Sequence, residues 1–366
     1  MKICLFGDAK SVHIQRLACG LAMRGHKVHV VCHKPVDLPG VSVERFRVPP
    51  PGLTNPRRWR RRWAHYLEGF LRRFDVVNLH FLDEWGFTPD IMQSGCFVAS
   101  AWGSDVVRPP DDEGPPSPEL VASRISMLRH ADAVTTCGQT FAVTTAEFAG
   151  IDVDRIDVVP FGVDLELFQP PLATPTRGAG SHRVGFFKGF REVYGAAFLI
   201  EAIPIVLNRL PETHFDLVGD GSQLSQCHEL AVKLGVESSV EWIPRQPHHN
   251  IPTLLAGWDL TVIPSIHEAF GVAALESSAM GVPVVASDVG GLRDTVCNGE
   301  TGLLVPPGSP EALADAIVTL LIDPARRLHM KQTGREWVQE HYEQQRTLDQ
   351  WIEMFHQVLD RVSAVV

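Results

Sequence analysis

Short apolar runs rich in β-branched residues alternate along this chain with longer stretches in which apolar positions recur at helical spacing. Met1–Gly7, Val184–Phe187, His214–Val218 and Asp259–Pro264 are runs of the first kind, the last closed by Pro264 and Ser265, and they read as buried strands. From Phe270 to Met280 the pattern changes. Proline is absent, Val272, Leu275 and Ala279 fall on one helical face, and Gly281 followed by Pro283 is a stop signal. A further apolar strand then runs from Val282 and ends near the pair Gly290-Gly291. Strand and helix alternating in this way predict an α/β fold with parallel sheets.

The pattern places two carboxylates. Glu268 falls in the loop at the carboxyl end of a strand, and Glu276, eight residues on, about two turns into the next helix. Ligands of open α/β sheets bind at that end of the strands, where the amide groups near Phe270, Gly271 and Val272 would face them. A loop carboxylate there can hold sugar hydroxyls, and one further along the helix can hold a ribose diol. Each hydrogen bond to a charged group contributes on the order of 1.5–3 kcal/mol. For two isolated glutamates, a helix-dipole acid and a solvated helix residue would be the better reading. Here Ala273, Ala274, Ser277, Ser278 and Ala279 are all small, which suits a tightly packed helix and leaves little polar face on which Glu276 could be idle.

The stretch from Pro264-Ser265 to Gly291, with Glu268 and Glu276 at this spacing, resembles the donor-site signature of the family 4 retaining glycosyltransferases. The likeness covers nearly the whole chain: Arg24-Gly25-His26-Lys27-Val28, Trp102-Gly103-Ser104-Asp105, Pro160-Phe161-Gly162-Val163-Asp164, Val218-Gly219-Asp220-Gly221 and Asn298-Gly299-Glu300-Thr301-Gly302 follow in the family's order. The Trp-Gly-Ser-Asp loop is similar to one bacterial branch. The resemblance implies a GT-B fold, two Rossmann-like doubly wound domains facing across a cleft, with a nucleoside-diphosphate sugar as donor, no separate cofactor and no metal. It leaves UDP and GDP undecided.

Domain boundaries are legible too. The stretch Gln169–Ser181 is rich in proline, glycine and threonine and lacks apolar periodicity, so it reads as a linker. The expected plan is an acceptor-side domain over 1–165, a linker over 166–182, a nucleotide-sugar domain over 183–343, and a last helix over 344–366. In the family that helix crosses back to the first domain. A length of 366 residues suits two cores.

A net charge of −10 argues against general nucleic-acid binding. The local exception is Arg57–Arg73, where Trp59, Trp63, Leu67, Phe70, Leu71 and Phe74 recur at helical spacing beside an arginine-rich face. Its later apolar residues read as core. Trp59, Trp63 and the adjacent arginines read as a surface for an anionic membrane or an anionic acceptor, with residues 57–74 as the expected membrane contact. Seven scattered cysteines without zinc spacing suggest free thiols in a reducing compartment. No apolar run has the length of a membrane span, and Met1–Gly7 reads as a first strand rather than a leader. The expected setting is cytoplasmic, at the inner face of a membrane.

The remaining site residues follow from the resemblance. Many members place an arginine and, about six residues on, a lysine at the diphosphate; this chain has Lys188 at the first place and Tyr194 at the second. Lys188 is the first choice; a second cation from Arg191, from Lys10, or none at all is left open. Gly219 becomes a turn near the nucleotide, and the loop after Val240–Arg245 a contact for the base. Asp105 resembles a position facing the acceptor, and Asp8, Lys10, His13 and His80 lie in neighbouring strand-to-helix loops. The expected catalytic set is Glu268, Asp105 and His13; the donor-binding set is Lys188, Arg191, Gly219, Phe270, Gly271, Val272 and Glu276. Asp152-Val153-Asp154 has the form of a metal motif from the other large glycosyltransferase fold but lies far from the donor motifs, and is set aside. The implied reaction is sugar transfer to a sugar or lipid-linked acceptor with retained configuration, in glycan or glycolipid assembly. An epimerase of the same fold and a non-catalytic sugar-nucleotide-binding subunit are the alternatives.

Overall fold

A computed structural model describes residues 1–46, 65–82, 87, 89–92, 95–107, 116–171 and 180–364. The chain forms two compact units. One runs to Phe161 and takes back the chain from Gln345; the other is Gly162–Gln344.

The first unit is built on seven parallel strands: β1 (Lys2–Phe6), β2 (Lys27–Cys32), β3 (Ser42–Arg45), β4 (Val76–His80), β5 (Cys96–Ala101), β6 (Ala133–Thr136) and β7 (Ile156–Val158). Their order is β3-β2-β1-β4-β5-β6-β7. Register is set by apolar residues on both faces, Ile3 lying opposite Val28 on one side and Val76 on the other. Every residue of β4 and of β5 is buried, as expected where helices cover both faces of a parallel sheet.

One face of this sheet is covered by helices from opposite ends of the chain. Helix Val12–Met23 contributes Ile14, Leu17, Ala18 and Leu21, and helix Gln344–Ser363 contributes Leu348, Trp351, Met354, Phe355 and Val358 to the same core. Close approach depends on Gly20, where a Cβ would lie 2.5 Å from Leu348 Cδ1. Residues 65–71 are helical, with Leu67, Phe70 and Leu71 buried. Trp59, Trp63 and Arg57–Arg62 of the expected membrane surface lie outside the described residues, as do residues 172–179 of the expected linker.

The second unit repeats the plan with six parallel strands: β8 (His182–Phe187), β9 (Thr213–Val218), β10 (Val240–Ile243), β11 (Leu260–Ile263), β12 (Val284–Ser287) and β13 (Gly302–Val305). Their order is β10-β9-β8-β11-β12-β13. Numbered within each unit, both sheets follow the 3-2-1-4-5-6 order of the Rossmann fold. The order reverses between β1 and β4 in the first unit and between β8 and β11 in the second. Loops leaving adjacent strands at these points run to opposite faces, which opens a crevice for a ligand. Among the described residues, no helix is long and apolar enough to cross a membrane.

Candidate functional site

Lys188 directly follows β8 and Glu268 lies in the loop after β11, so both stand at the switch point of the second sheet. They form an ion pair in which both side chains are largely buried, 12% and 14% exposed. Ser265 Oγ donates to the same Glu268 oxygen at 3.4 Å. The Lys188 ammonium also lies 4.4 Å from the centre of the Tyr194 ring. Arg191 is partly buried and directly precedes the turn Glu192–Tyr194.

Glycines hold these loops together, because backbone meets backbone there. A Cβ at Gly219 would lie 2.2 Å from the Lys188 carbonyl oxygen, and one at Gly290 would lie 2.1 Å from that of Glu268. Hydrogen bonds lock the same contacts: Phe190 N–H donates to Asp220 O at 2.7 Å, Ile266 N–H to Val193 O at 2.8 Å, and Gly291 N–H to Glu268 O at 2.9 Å. Gly219-Asp220-Gly221 is thus the turn on which the Lys188 loop rests.

The helix expected from Phe270 begins two residues later, spanning Val272–Ala279, because Gly271 has φ +101° and lies outside helical space. Glu276 therefore sits little more than one turn in rather than two. Gly271, Val272 and Ala273 contribute first-turn N–H groups that a helix leaves outside its own ladder. Phe270 is buried edge-on to Tyr342, whose hydroxyl donates to Asp294 O at 2.8 Å. Glu276 is not a solvated helix residue: its side chain is 7% exposed and lies 2.7 Å from His248 Nε2. His248 belongs to the loop after β10, where sequence reasoning looked only for a base contact.

In the first unit, Asp105 is fully buried and turned into its own loop. One oxygen accepts from Gly103 N–H at 2.7 Å and Trp102 N–H at 3.1 Å, the other from Leu82 N–H at 3.0 Å. Burial pushes its carboxyl above the usual carboxylate range, against the pull of those amides. The carboxylate expected to face an acceptor is engaged in shaping the Trp102 loop. His13 lies in the first turn of its helix, stacked on Phe161 at 4.0 Å and edge-on to Trp102 at 6.0 Å. Asp8 and Lys10 are exposed, with Lys10 N–H donating to Asp8 Oδ1 at 3.0 Å.

His80 ends β4, fully buried between Trp102 and Trp351, with ring centres 4.8 and 5.5 Å away. Neither ring nitrogen has a hydrogen-bond partner among the described residues, and burial lowers its pKa to about 3. Asp152 is a capping residue, accepting from Asp154 N–H at 3.1 Å. None of the seven cysteines is joined in a disulfide.

Comparison with known proteins bears on the two units and their fold. Residues 178–337 match the family model of glycosyl transferases group 1, and residues 11–167 that of glycosyltransferase family 4. The chain is 32% identical over 237 residues to a D-inositol 3-phosphate glycosyltransferase of Corynebacterium glutamicum (strain R), a match taking in 60% of this chain and 57% of that one. It is 28% identical over 401 residues to the protein of the same description from Pseudarthrobacter chlorophenolicus, covering 97% and 92%. The chain thus spans little more than half the length of the first of these relatives.

Among solved structures, a sucrose-phosphate synthase from Thermosynechococcus elongatus superposes with a TM-score of 0.80 at 21% identity, covering 99% of this chain and 100% of that one. Anabaena HepE, solved in complex with UDP and glucose, gives 0.74 at 20% identity, covering 97% and 99%. At such identities the likeness is one of fold, and the fold is GT-B. The first unit thus matches the glycosyltransferase family 4 model and the second the glycosyl transferases group 1 model, each on a Rossmann sheet.

Proposed function

We propose that this protein transfers a sugar from a nucleoside-diphosphate sugar to an acceptor hydroxyl. The observation that carries the reading is the meeting of Lys188 and Glu268 at the switch point of the second sheet, with Glu276 buried on the helix that begins beside them. A cation, a loop carboxylate and first-turn amides share one crevice edge there. That set matches the chemistry of a donor whose diphosphate must be held and then released.

In this reading the Lys188 ammonium and the N–H groups at Gly271 and Val272 bind the diphosphate and stabilise the charge that develops on it as the glycosidic bond breaks. Arg191, on the same loop, is the second cation. Glu268 accepts from hydroxyls of the donor sugar, and its pairing with Lys188 fixes the distance between sugar and diphosphate. Glu276 accepts from the ribose diol. Attack on the face the diphosphate leaves retains the anomeric configuration, with the departing phosphate taking the acceptor's proton; this positive charge and these amides serve the leaving group without a metal ion. His13 lines the acceptor side, and Asp105 acts as a positioning residue for the Trp102 loop.

The chemical setting is assembly of a cell-surface glycan or glycolipid. Support comes from the arginine-rich sequence over residues 57–74, which suits an anionic membrane surface on the cytoplasmic side. Thermal unfolding with UDP, GDP, ADP and their common sugars, beside a Glu276→Ala control, tests the donor reading without an acceptor. Ligand at about 100 times its dissociation constant adds about 2.7 kcal/mol of stability. A shift with one nucleotide family, lost in the control, is the expected result; no shift with any of them overturns it.

A further inference from the structure

Glu276 belongs to a closed chain of contacts within the second unit that runs from its carboxylate to the last residue of its helix. His248 Nε2 lies 2.7 Å from Glu276 Oε1. An ionised carboxylate only accepts, so Nε2 carries the hydrogen and donates it. Behind His248 stands the ring of Phe168, fully buried, with its centre 5.3 Å away and tilted by 57°. The Phe168 carbonyl accepts from Arg335 Nη1 at 3.2 Å, and the same nitrogen donates to the carbonyl of Ala279, the last residue of the Glu276 helix. The guanidinium therefore clips the helix end to the backbone of Phe168, Phe168 backs the imidazole, and the imidazole fixes the carboxylate.

We infer that His248 is a positioning residue for ribose recognition: it sets the plane of the Glu276 carboxylate so that the remaining lone pairs meet the two hydroxyls of a nucleotide's ribose. The inference rests on the reading of Glu276 as the diol acceptor. A carboxylate has about four lone-pair sites, and the imidazole bond takes one of them. Without the imidazole the side chain would turn about its last torsion, whose well is broad, and ordering it would weaken binding. The surroundings support a positioning role over a fold-stabilising one. His248 is 29% exposed and lies on a loop, whereas the carboxylate it holds is 7% exposed.

The test measures dissociation constants of UDP and GDP and of their 2′,3′-dideoxy forms for wild type, His248→Leu, His248→Gln and Glu276→Ala. For the nucleotide that binds, His248→Leu should weaken the ribose form about tenfold and the dideoxy form by less than about twofold. The Gln variant, with an amide donor, should recover most of the loss. Equal weakening of both forms in His248→Leu, or unchanged binding of both, would overturn the role of His248. If Glu276→Ala still prefers ribose to dideoxyribose, or if wild type binds no nucleotide, the diol reading itself fails and this inference falls with it.

Discussion

The Lys188 ammonium rests over the face of Tyr194, 4.4 Å from the ring centre. Where the family resemblance implies a lysine, Tyr194 presents an aromatic face that steadies Lys188. A cation over a ring contributes about 0.5–1 kcal/mol at an exposed site and about 2 kcal/mol when desolvated, and Lys188 is only 12% exposed. Tyr194→Phe should leave nucleotide affinity near wild type, and Tyr194→Leu should weaken it by roughly two- to thirtyfold. Titration calorimetry with the bound nucleoside diphosphate checks both. A loss in the Phe variant as large as in Leu would assign the effect to the hydroxyl instead.

Glu268→Gln keeps the shape of the loop carboxylate and removes its charge. Because the proposed role of Glu268 is to orient the donor sugar, turnover should fall by about a hundredfold or more, while nucleotide affinity changes by only a few-fold. Steady-state rates with a working acceptor, set beside UDP or GDP binding, separate the two. Equal losses in both would contradict the assignment.

Gly290 and Gly299 both have positive φ, +43° and +90°, but differ in what surrounds them. A Cβ at Gly299 meets nothing within 4 Å, whereas one at Gly290 would sit 2.1 Å from the Glu268 carbonyl oxygen. Gly299→Ala should therefore cost only the conformational penalty, about 1–2 kcal/mol. Gly290→Ala should cost roughly 2–5 kcal/mol and also displace the Glu268 loop. Urea unfolding measures the stabilities, and nucleotide binding should be lost only in the Gly290 variant.

His80 makes stability depend on pH in a defined direction. Its folded pKa is lowered to about 3, so on acidification from neutral pH the unfolded chain takes up a proton at His80 that the native protein refuses. Stability therefore falls as pH drops through the unfolded value near 6.5, by up to about 1.4 kcal/mol per pH unit for this one group, and the decline ends near the folded pKa. Burial pushes His29 and His267 the same way. Replacing His80 with leucine should flatten the slope of unfolding free energy between pH 6.5 and 5. An unchanged slope would show that His80 is not the group responsible.

Much of this arrangement is legible in the sequence itself. Apolar runs marked β8, β9, β11 and β12, and the spacing of Glu268 and Glu276 placed both near one strand end. The pairing of Lys188 with Glu268 was not readable from spacing, since the two are separated by 80 residues and meet because β8 and β11 are neighbours in the sheet. His248 was missed for the same reason: nothing in Gln246-Pro247-His248-His249 announces a partner on another helix. Asp105 shows the opposite limit. A motif marks where a carboxylate is needed, but only the fold reveals that its oxygens turn inward to amide groups.

The helix Gln344–Ser363 fills the core of a sheet whose seventh strand ends at Val158. On the ribosome, the first unit's strands emerge long before the residues that cover them. At about 5–20 residues per second, the interval between Phe161 and Gln345 lasts roughly 10–40 s. During that time the core around Ile3, Leu17, Val28 and Val30 lacks the share of its cover that Leu348, Trp351, Met354, Phe355 and Val358 supply. The first unit therefore completes its packing only after the residues of the second have been made.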